Sequence, residues 1–561
     1  MDSIATLVSQ FHFCIAFAVP HFFRVSCGAQ ADVESPPTYT LWHKDASYTG
    51  GLTANATLPS DITPTLKTVR FFPISFGPTS CYNFARIPKG RYSITIFFGL
   101  VKLSGEPIYD ISIEGTEVYS LLPGWSNHDD QAFSESLISL LNGTATICFH
   151  SVGHGDPTIL AIQLLQIHDM AYDAGQRWDK RVVFRTVIRL NCGARKPKFD
   201  EDYGGNIWGA NRFWTPAGSF AKNSGSRIYT ENSIANVSAS PNFFPEQIYQ
   251  SALVSTDEEP DMTFIISVKA LKTYWLWFHF AEINSSITEG KRVFDIIVND
   301  KVVCQDVDIF RMGGQGYTAV VLNVTIAVTE NILRIVLHPR TGHHALMNAI
   351  EILEVVKREF QTTRDEANGL KELKKALGVP SLLGWNGDPC APVQHSWSGV
   401  KCENGKNRST WVIATLDLHR QGLKGFLPMN VSRLSHLKSI NLSYNSICGT
   451  IPESLGDMKS LEVLDLSYNS LNGSIPESLG SKLTSLRILK LEGNVMLEKG
   501  SALTPNNPQP SHHRRGMMII IIVSLTLLTI VAIVCATIWW RRKQDVTRAQ
   551  PYTRFPRPQD A

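Results

Sequence analysis

The stretch LDLSYNSLNGSIPESLG, residues 464–480, is one unit of a sequence repeat in the C-terminal part of the chain. Its first leucine belongs to a series of aliphatic residues at steps of 24, 24 and 25 positions, namely Leu416, Ile440, Leu464 and Leu489. Three further series keep the same phase: Leu418, Leu442, Leu466 and Leu491; Gly425, Gly449 and Gly473; Pro428, Pro452 and Pro476. A period of this length predicts a solenoid, because each unit buries its apolar face only by stacking on the next one.

The repeat pattern also assigns roles to individual residues. The paired leucines of each unit are expected to point inward, and Asn445, Asn469 and Asn494 to bond the backbone between successive turns. Cys448 lies inside a repeat and is expected to be a free, buried thiol. An array of about four repeats offers little contact area for a ligand. We therefore interpret it either as a spacer or as a docking face for a partner ectodomain, and both interpretations remain open.

These units resemble plant leucine-rich repeats, and GWNGDPCAPVQHSWSGVKC, residues 384–402, resembles the N-terminal cap of such proteins. The cap resemblance implies a disulfide between Cys390 and Cys402 that shields the apolar edge of the first repeat. Zinc binding by this cysteine pair with His395 is not favoured, because a fourth ligand is missing. A short helix is predicted just before the cap, over residues 363–377.

The larger N-terminal part consists of short apolar or alternating runs broken by Pro, Gly and Asn, which is typical of antiparallel sandwiches. A second block, 181–357, repeats four runs of the first block, 25–170, in the same order. The corresponding runs are RVSCGA and VIRLNCGA, YSITIFFGLV and YWLWFHFAEI, IYDISIEGT and RVFDIIVND, and LAIQLLQI and NAIEILEV. The shared order predicts two tandem copies of one fold.

The segment FHFAEINSSITEGKRVFDIIVNDKVVCQDVDIF, residues 278–310, is similar to malectin, a sugar-binding lectin, and to plant malectin-like receptor domains. The resemblance covers most of both blocks and implies two jelly-roll sandwiches whose loops and one face hold an oligosaccharide. Malectin has a Tyr-Phe pair after its Phe-Ala-Glu-Val run, whereas Asn284 and Ser285 follow the Phe-Ala-Glu-Ile run here. The glucose site of malectin is therefore not transferable. As replacements we predict exposed aromatic residues: Trp42, Tyr48 and Trp125 in the first block, and Tyr203, Trp208, Trp214 and Tyr229 in the second.

Residues 517–540, MMIIIIVSLTLLTIVAIVCATIWW, form a run without charge, Gly or Pro, which predicts one membrane-spanning helix. Basic residues follow this run, so the positive-inside rule predicts a cytoplasmic tail, 541–561, and a long exterior part. Glycosylation sequons on the predicted exterior agree with secretion: Asn55, Asn142, Asn236, Asn284, Asn323, Asn407, Asn430, Asn441 and Asn472.

The chain ends carry three further predicted segments. An apolar signal peptide is predicted over residues 1–24, cleaved before Cys27. A flexible Pro- and Asn-rich stalk is predicted over 497–516. In the tail, Tyr552 and Phe555 have the spacing of a tyrosine-based endocytic sorting motif.

The predicted fold class is mainly β. Its parts are two tandem malectin-like jelly-roll sandwiches (25–170 and 181–357), a helix and cap (363–410), a short leucine-rich-repeat α/β solenoid (411–496) and one transmembrane helix. Disulfide pairing stays open among Cys27, Cys81, Cys148, Cys192, Cys304 and Cys448.

The architecture resembles that of plant malectin-like leucine-rich-repeat receptors without the kinase. The resemblance implies a single-pass plasma-membrane protein with an extracellular N-terminus; the alternative location is the endoplasmic reticulum or an endosomal membrane. Its expected partners are a cell-wall oligosaccharide or a secreted peptide, and a kinase-bearing co-receptor. About twenty cytosolic residues bury too little surface to fold as a kinase. The alternative function is a structural tether between wall and membrane, without regulated signalling.

Other function classes are not favoured by the sequence. The net charge is only +3 and no basic cluster with interleaved aromatic residues appears outside the tail, so no nucleic-acid partner is expected. The sequence has no Gly-rich phosphate loop, HExxH or GxSxG motif. We therefore expect no enzyme, and we predict no catalytic residue, metal or cofactor.

Overall fold

Two β-sandwiches with the same strand connections are followed by a solenoid of parallel strands. The computed structural model describes residues 21–36, 39–58, 63–102, 105–127, 131–172, 180–194, 198–199, 212–222, 225–239 and 243–498. The mainly β fold class is confirmed over these ranges. The predicted transmembrane helix, the tail with Tyr552 and Phe555, the stalk beyond residue 498 and the signal peptide up to residue 20 lie outside them. No helix in the described ranges is long and apolar enough to cross a membrane.

The first sandwich begins three residues earlier than the sequence predicts. Its strands are β1 (Phe22–Ser26), β2 (Val33–Ser35), β3 (Thr40–Trp42), β4 (Leu52–Thr57), β5 (Thr68–Phe71), β6 (Thr79–Ala85), β7 (Gly90–Phe98), β8 (Leu100–Val101), β9 (Ile108–Ile113), β10 (Thr116–Ser120), β11 (Phe133–Leu140), β12 (Thr144–His154) and β13 (Thr158–Ile167). Phe22 pairs with Leu165 of β13, so residues 22–24 lie in the first strand of this sandwich.

The central strands of this sandwich are apolar almost throughout because both of their faces are covered. In β13, Ile162 and Leu164 face the core between the two sheets. Leu160 faces the opposite side, where it packs in a smaller core with Trp42 and Phe97. A strand buried on both faces reads as a continuous apolar run rather than an alternating one.

The second sandwich repeats this construction. Its elements are β14 (Val182–Asn191), β15 (Lys198–Phe199), β16 (Phe213–Pro216), β17 (Ser226–Tyr229), β18 (Ser251–Val254), β19 (Met262–Ser267), β20 (Lys272–Phe280), β21 (Val293–Val298), β22 (Lys301–Asp308), α1 (Ile309–Gly313), β23 (Val320–Val328), β24 (Ile332–Pro339), β25 (Leu346–Met347) and β26 (Ala349–Lys357).

The four repeated sequence runs become four pairs of equivalent strands: β1 and β14, β7 and β20, β9 and β21, and β13 and β26. The order β1-β13-β7 in one sandwich matches the order β14-β26-β20 in the other. The second sheets also match, running β10-β9-β12-β6 and β22-β21-β24-β19. The structure thus contains two copies of one topology, as the repeated runs predict.

One continuous sheet runs through both sandwiches. Strand β11 of the first pairs antiparallel with β14 of the second, with Ser136 opposite Arg185 and Leu137 opposite Phe184. Strands β7 and β13 extend this sheet on one side of the junction, and β26 and β20 extend it on the other. Backbone hydrogen bonds therefore cross from one sandwich to the other.

Arg189 fills the buried interior of this junction. Its Nε donates to Oε1 of Glu351 at 2.6 Å in the second sandwich, and its Nη1 donates to Glu135 in the first. Thr186 also donates to Glu135, and the Tyr172 hydroxyl donates to Glu351. The three charged side chains are at most 4% exposed. Burial acts to raise the pKa of Glu135, but Arg189 outweighs burial and holds that pKa below its ordinary value.

The cap and the solenoid follow the second sandwich. Their elements are α2 (Arg364–Leu377), β27 (Val400–Asn404), β28 (Trp411–Asp417), β29 (Lys424–Gly425), β30 (Ser439–Asn441), β31 (Ser446–Thr450), β32 (Val463–Asp465), β33 (Ser470–Ser474), α3 (Glu477–Ser481), β34 (Ile488–Lys490) and β35 (Met496–Glu498). Strands β28, β30, β32 and β34 pair in parallel, as stacked repeats require. The last strand ends two residues beyond the predicted end of the repeats at residue 496.

Asparagine side chains tie the turns of the solenoid together, as the repeat pattern predicts. Asn445 donates to the Leu418 carbonyl at 2.9 Å, and Asn469 donates to the Leu442 carbonyl at 2.9 Å. Asn494 continues the ladder. Cys448 has a free thiol, as predicted, but the prediction that it is buried is wrong. The thiol is exposed because Cys448 occupies an outward position of β31.

The cap docks on the outer face of the β10-β9-β12-β6 sheet. Asn386 Nδ2 donates to the Thr79 carbonyl at 2.8 Å. Gly387 lies over a disulfide between Cys81 and Cys148, which face each other on β6 and β12. A Cβ on Gly387 would lie 2.8 Å from the Cys148 sulfur, and its φ is +73°, so this contact requires glycine.

Two histidines stack at the centre of this contact. The ring of His395 in the cap lies 4.2 Å from that of His150 on β12, at an interplanar angle of 8°. Thr79 and Ser112 hold the two ring nitrogens of His150 at 3.0 and 2.8 Å. Burial, followed by the charge of His395, lowers the pKa of His150 to about 3. His150 is therefore neutral in the docked structure.

We expect Arg189→Met to lower the thermal unfolding midpoint of the full-length protein far more than Arg334→Met. The first change leaves two buried carboxylates without their cation, which costs about 3–5 kcal/mol. Arg334 pairs with Asp300 at the surface, where both side chains are largely exposed and an ion pair contributes at most about 1 kcal/mol. Equal, small shifts in the two variants would show that the junction does not depend on Arg189.

Protonation of His150 should oppose folding at acid pH. The unfolded chain binds this proton below its ordinary pKa of 6.5, whereas the folded chain resists it down to about 3. The contribution of neutral His150 to the free energy of unfolding is therefore fully present above about pH 6.5. It is lost as the pH falls, and the loss reaches about 2 kcal/mol at pH 5. Thermal midpoints from pH 7 to 5 should fall less steeply for His150→Asn than for the wild type.

A matched control for this pH experiment is His338→Asn, since His338 is half exposed and lies away from the cap. We expect this variant to keep the wild-type slope. Buried His279, whose pKa is also lowered by burial, accounts for part of the slope that remains in His150→Asn. Identical slopes for His150→Asn and the wild type would contradict the prediction.

Candidate functional site between the two sandwiches

Of the aromatic residues predicted to contact a ligand, the five that the structure describes do not form one exposed surface. Trp42, Trp125 and Trp214 are at most 2% exposed, so the prediction that they are exposed is wrong. Tyr48 and Tyr229 are exposed, at 43% and 80%. Tyr203 and Trp208 lie outside the described residues.

Each buried tryptophan has a structural role that explains its position. Trp42 covers the outer face of the large sheet and makes an edge contact with Phe97. Trp125 packs on Phe98 and donates its indole N–H to the Pro107 carbonyl at 2.9 Å. Trp214 belongs to the core of the second sandwich. Buried indoles with a satisfied or enclosed N–H are common in cores.

The exposed Tyr48 is already covered on one face. The guanidinium of Arg70 lies 3.4 Å from the centre of its ring, and Arg70 is held by Asp45 at 2.6 Å. In the second sandwich, the position of the malectin glucose contacts also differs. Glu282 before Asn284 is paired with Arg292 at 2.7 Å, and Asn284 itself is exposed. Neither place therefore offers an open aromatic surface.

A cleft of about 590 Å³ lies between the two sandwiches instead. Its lining includes Tyr119, Leu122 and Phe133 from the first sandwich and Arg185, Phe220, Ile265 and Lys269 from the second. Such a volume is in the range of small-ligand sites and accommodates one or two residues of a peptide or a sugar chain. Nothing in the sequence marks these residues as a group, because they come from strands far apart in the chain.

The cleft combines apolar surface with positive charge. Arg185 lies 5.7 Å from the ring of Tyr119 across the junction, and its Nε donates to Glu354 at 2.9 Å. Lys269 lines the same cleft, and burial and the like charge of Arg185 lower its pKa. An acidic group on a ligand would relieve this repulsion.

One carboxylate, that of Glu135, lines the cleft and is held by its neighbours. The oxygens of Glu135, which line it, accept from Ser93, Thr186 and Arg189. This carboxylate is therefore engaged in holding the two sandwiches together. Among the described lining residues, no second carboxylate faces it at the separation that glycoside cleavage needs.

The predicted covalent sites are found as follows. A disulfide joins Cys390 and Cys402, and another joins Cys81 and Cys148. Cys27, Cys192, Cys304 and Cys448 are free. Two predicted sequons, Asn323 and Asn441, are half-buried, and the others are exposed: Asn55, Asn142, Asn236, Asn284, Asn407, Asn430 and Asn472.

Comparison with protein families agrees with this division of the chain. The malectin-like domain family matches residues 25–355. The leucine rich repeat N-terminal domain matches residues 364–403, and leucine rich repeats match 413–471 and 435–496. The malectin-like match covers both sandwiches as one unit, which agrees with their shared sheet.

Individual proteins match as well. Receptor-like protein 4 of Arabidopsis thaliana is 56% identical over 431 residues, which cover 76% of this chain and 69% of that protein. The LRR receptor-like serine/threonine-protein kinase IOS1 of Arabidopsis thaliana is 31% identical over 319 residues, 56% of this chain. The chain covers only 34% of the length of that kinase.

Among solved structures, the plant peptide RALF23 in complex with FER and LLG2 contains a chain with the same fold. The TM-score is 0.51 at 18% sequence identity, and the match covers 60% of this chain and 96% of that chain. At this identity the likeness concerns the fold alone. With the family and relative matches, the chain belongs to the malectin-like, leucine-rich-repeat receptor-like proteins.

Proposed function

We propose that this protein is a plasma-membrane receptor-like protein that binds a secreted peptide in the cleft between its two sandwiches. It acts by binding and not by catalysis, and a kinase-bearing partner carries the signal across the membrane. The cleft is the observation on which this proposal depends. It is built from both sandwiches, so a ligand bound there contacts both at once.

The composition of the cleft supports a peptide ligand with an apolar and an acidic side chain. The partly exposed side chains of Leu122 and Ile265 provide a surface for the apolar side chain of the peptide. Lys269 provides positive charge for the acidic side chain, whereas the charge of Arg185 is shared with Glu354. FER, which shares the fold, forms a complex with a peptide, RALF23, and with LLG2.

A cell-wall oligosaccharide is the second candidate ligand, because the rings of Tyr119, Phe133 and Phe220 line the same cleft. Aromatic rings stack on the C–H faces of sugars, and an acidic wall sugar would also complement Lys269. Direct binding measurements with a peptide and with oligosaccharides distinguish the two candidate ligands.

The proposed location and partner follow from the apolar run 517–540 and the basic residues behind it. The match to the receptor kinase IOS1 covers about a third of that protein, which supports a shared receptor ectodomain. We infer that catalysis is supplied by another chain at the inner membrane surface.

Filling the cleft should abolish ligand binding. We expect Ile265→Arg to reduce binding at least tenfold, because Ile265 is 42% exposed and its replacement occupies the cleft without entering the core. The measurement is surface plasmon resonance on detergent-solubilised full-length protein, with RALF23 peptide and a panel of wall oligosaccharides as probes. Val302→Arg is the matched control, since Val302 is 56% exposed on β22, outside the cleft.

Peptide binding that Ile265→Arg weakens and Val302→Arg leaves unchanged would support the first candidate. The same pattern with an oligosaccharide would favour the second. Binding that is equal in both variants would place the ligand elsewhere on the ectodomain and would contradict the cleft proposal.

The proposed exterior orientation predicts N-glycosylation of the exposed sequons. Asn142 and Asn407 are exposed and lie in turns between strands. Mass spectrometry after enzymatic deglycosylation in heavy-oxygen water should find both residues converted to labelled Asp. Unlabelled Asn at every sequon would contradict passage through the secretory route.

A further inference from the structure

Three metal-ligating side chains converge where the cap meets the first sandwich. Asp110 on β9 and Glu117 on β10 lie beside each other on the outer face of the sheet, and His395 reaches them from the cap. One ligand atom of each lies within 4.8 Å of the other two. The closest pair, His395 Nε2 and Asp110 Oδ2, is 2.9 Å apart.

The surroundings orient these side chains toward one point. Ser120 donates to one oxygen of Glu117 at 3.2 Å, and Gln394 of the cap donates to the other. His395 is held in place by stacking on His150. Outer-shell bonds of this kind fix the direction of metal ligands in known sites.

The charge at this point is unbalanced. Within the described part of the chain, neither Asp110 nor Glu117 forms an ion pair with a lysine or arginine within 4.0 Å. The ligand oxygens of the two carboxylates lie within 4.8 Å of each other, so the two negative charges repel. A cation between them would remove this repulsion.

We propose that Asp110, Glu117 and His395 bind a divalent transition-metal ion of the zinc class, which clamps the cap onto the first sandwich. An imidazole with two carboxylates suits Zn²⁺ better than Ca²⁺, which prefers oxygen ligands only. Zinc ligands at 2.0–2.2 Å lie about 3.3 Å from one another in a tetrahedron, so small side-chain rotations complete the site. All three side chains are only partly buried, which leaves the fourth position open to water.

The test uses detergent-solubilised full-length protein titrated with Co²⁺, whose visible absorption reports tetrahedral coordination. We expect one Co²⁺ to bind with that spectrum and Zn²⁺ to displace it. Glu117→Gln and His395→Gln should each weaken this binding more than about tenfold, since each removes a ligand. Glu117→Gln keeps an oxygen that accepts from Ser120 and loses the bond from Gln394.

A second readout is the thermal midpoint, which Zn²⁺ should raise in the wild type and not in Glu117→Gln. Ca²⁺ at the same concentration should have no effect. His338→Gln is the matched control, because His338 also pairs with an aspartate, Asp261, at 2.7 Å but belongs to no three-ligand group among the described residues. A Co²⁺ spectrum and a Zn²⁺ shift that survive both Glu117→Gln and His395→Gln would overturn the proposal and would locate the metal at other histidines.

Discussion

The arrangement of the ectodomain depends on one buried guanidinium, that of Arg189, shared between carboxylates of two sandwiches. The strands that join the sandwiches, β11 and β14, have only two paired positions, and so short a ladder specifies its register weakly. A slip by one residue would turn Arg189 away from Glu135. Because an unpaired buried carboxylate costs several kcal/mol, the ion pair selects one register, whatever its net contribution to stability.

The cleft is a consequence of that register. Its walls come from β10 and β11 on one side and from β14 and β19 on the other, so their spacing is set by the junction beneath them. Arg185 and Glu135 both line the cleft and belong to the strands of the junction. The floor of the candidate site is thus part of the shared sheet, which holds the side chains that line the cleft in place.

Structural features that follow from repeated sequence patterns could be predicted from the sequence, whereas the cleft could not. Stacked leucines and the order of the four sandwich runs follow from periods of the chain itself. The exposure of a side chain does not follow from such periods. Trp42, for example, is buried because it covers Phe97 on the far side of the sheet. Likewise, His395 and the two cysteines of the cap do not complete a metal site by themselves. Asp110 and Glu117 approach it only because the cap folds back onto a hairpin far away in the sequence.

One short strand connects the cleft with the cap. Tyr119 on β10 lines the cleft, and Glu117, two residues before it, accepts from Gln394 of the cap. The segment leaving the second sandwich returns to the same hairpin, where Gln361 donates to the Glu114 carbonyl at 2.8 Å. The strand that carries Tyr119 therefore also carries a contact with the cap. Any coupling between the cleft and the repeats has this strand as a physical route, since buried elements shift as units rather than deform continuously.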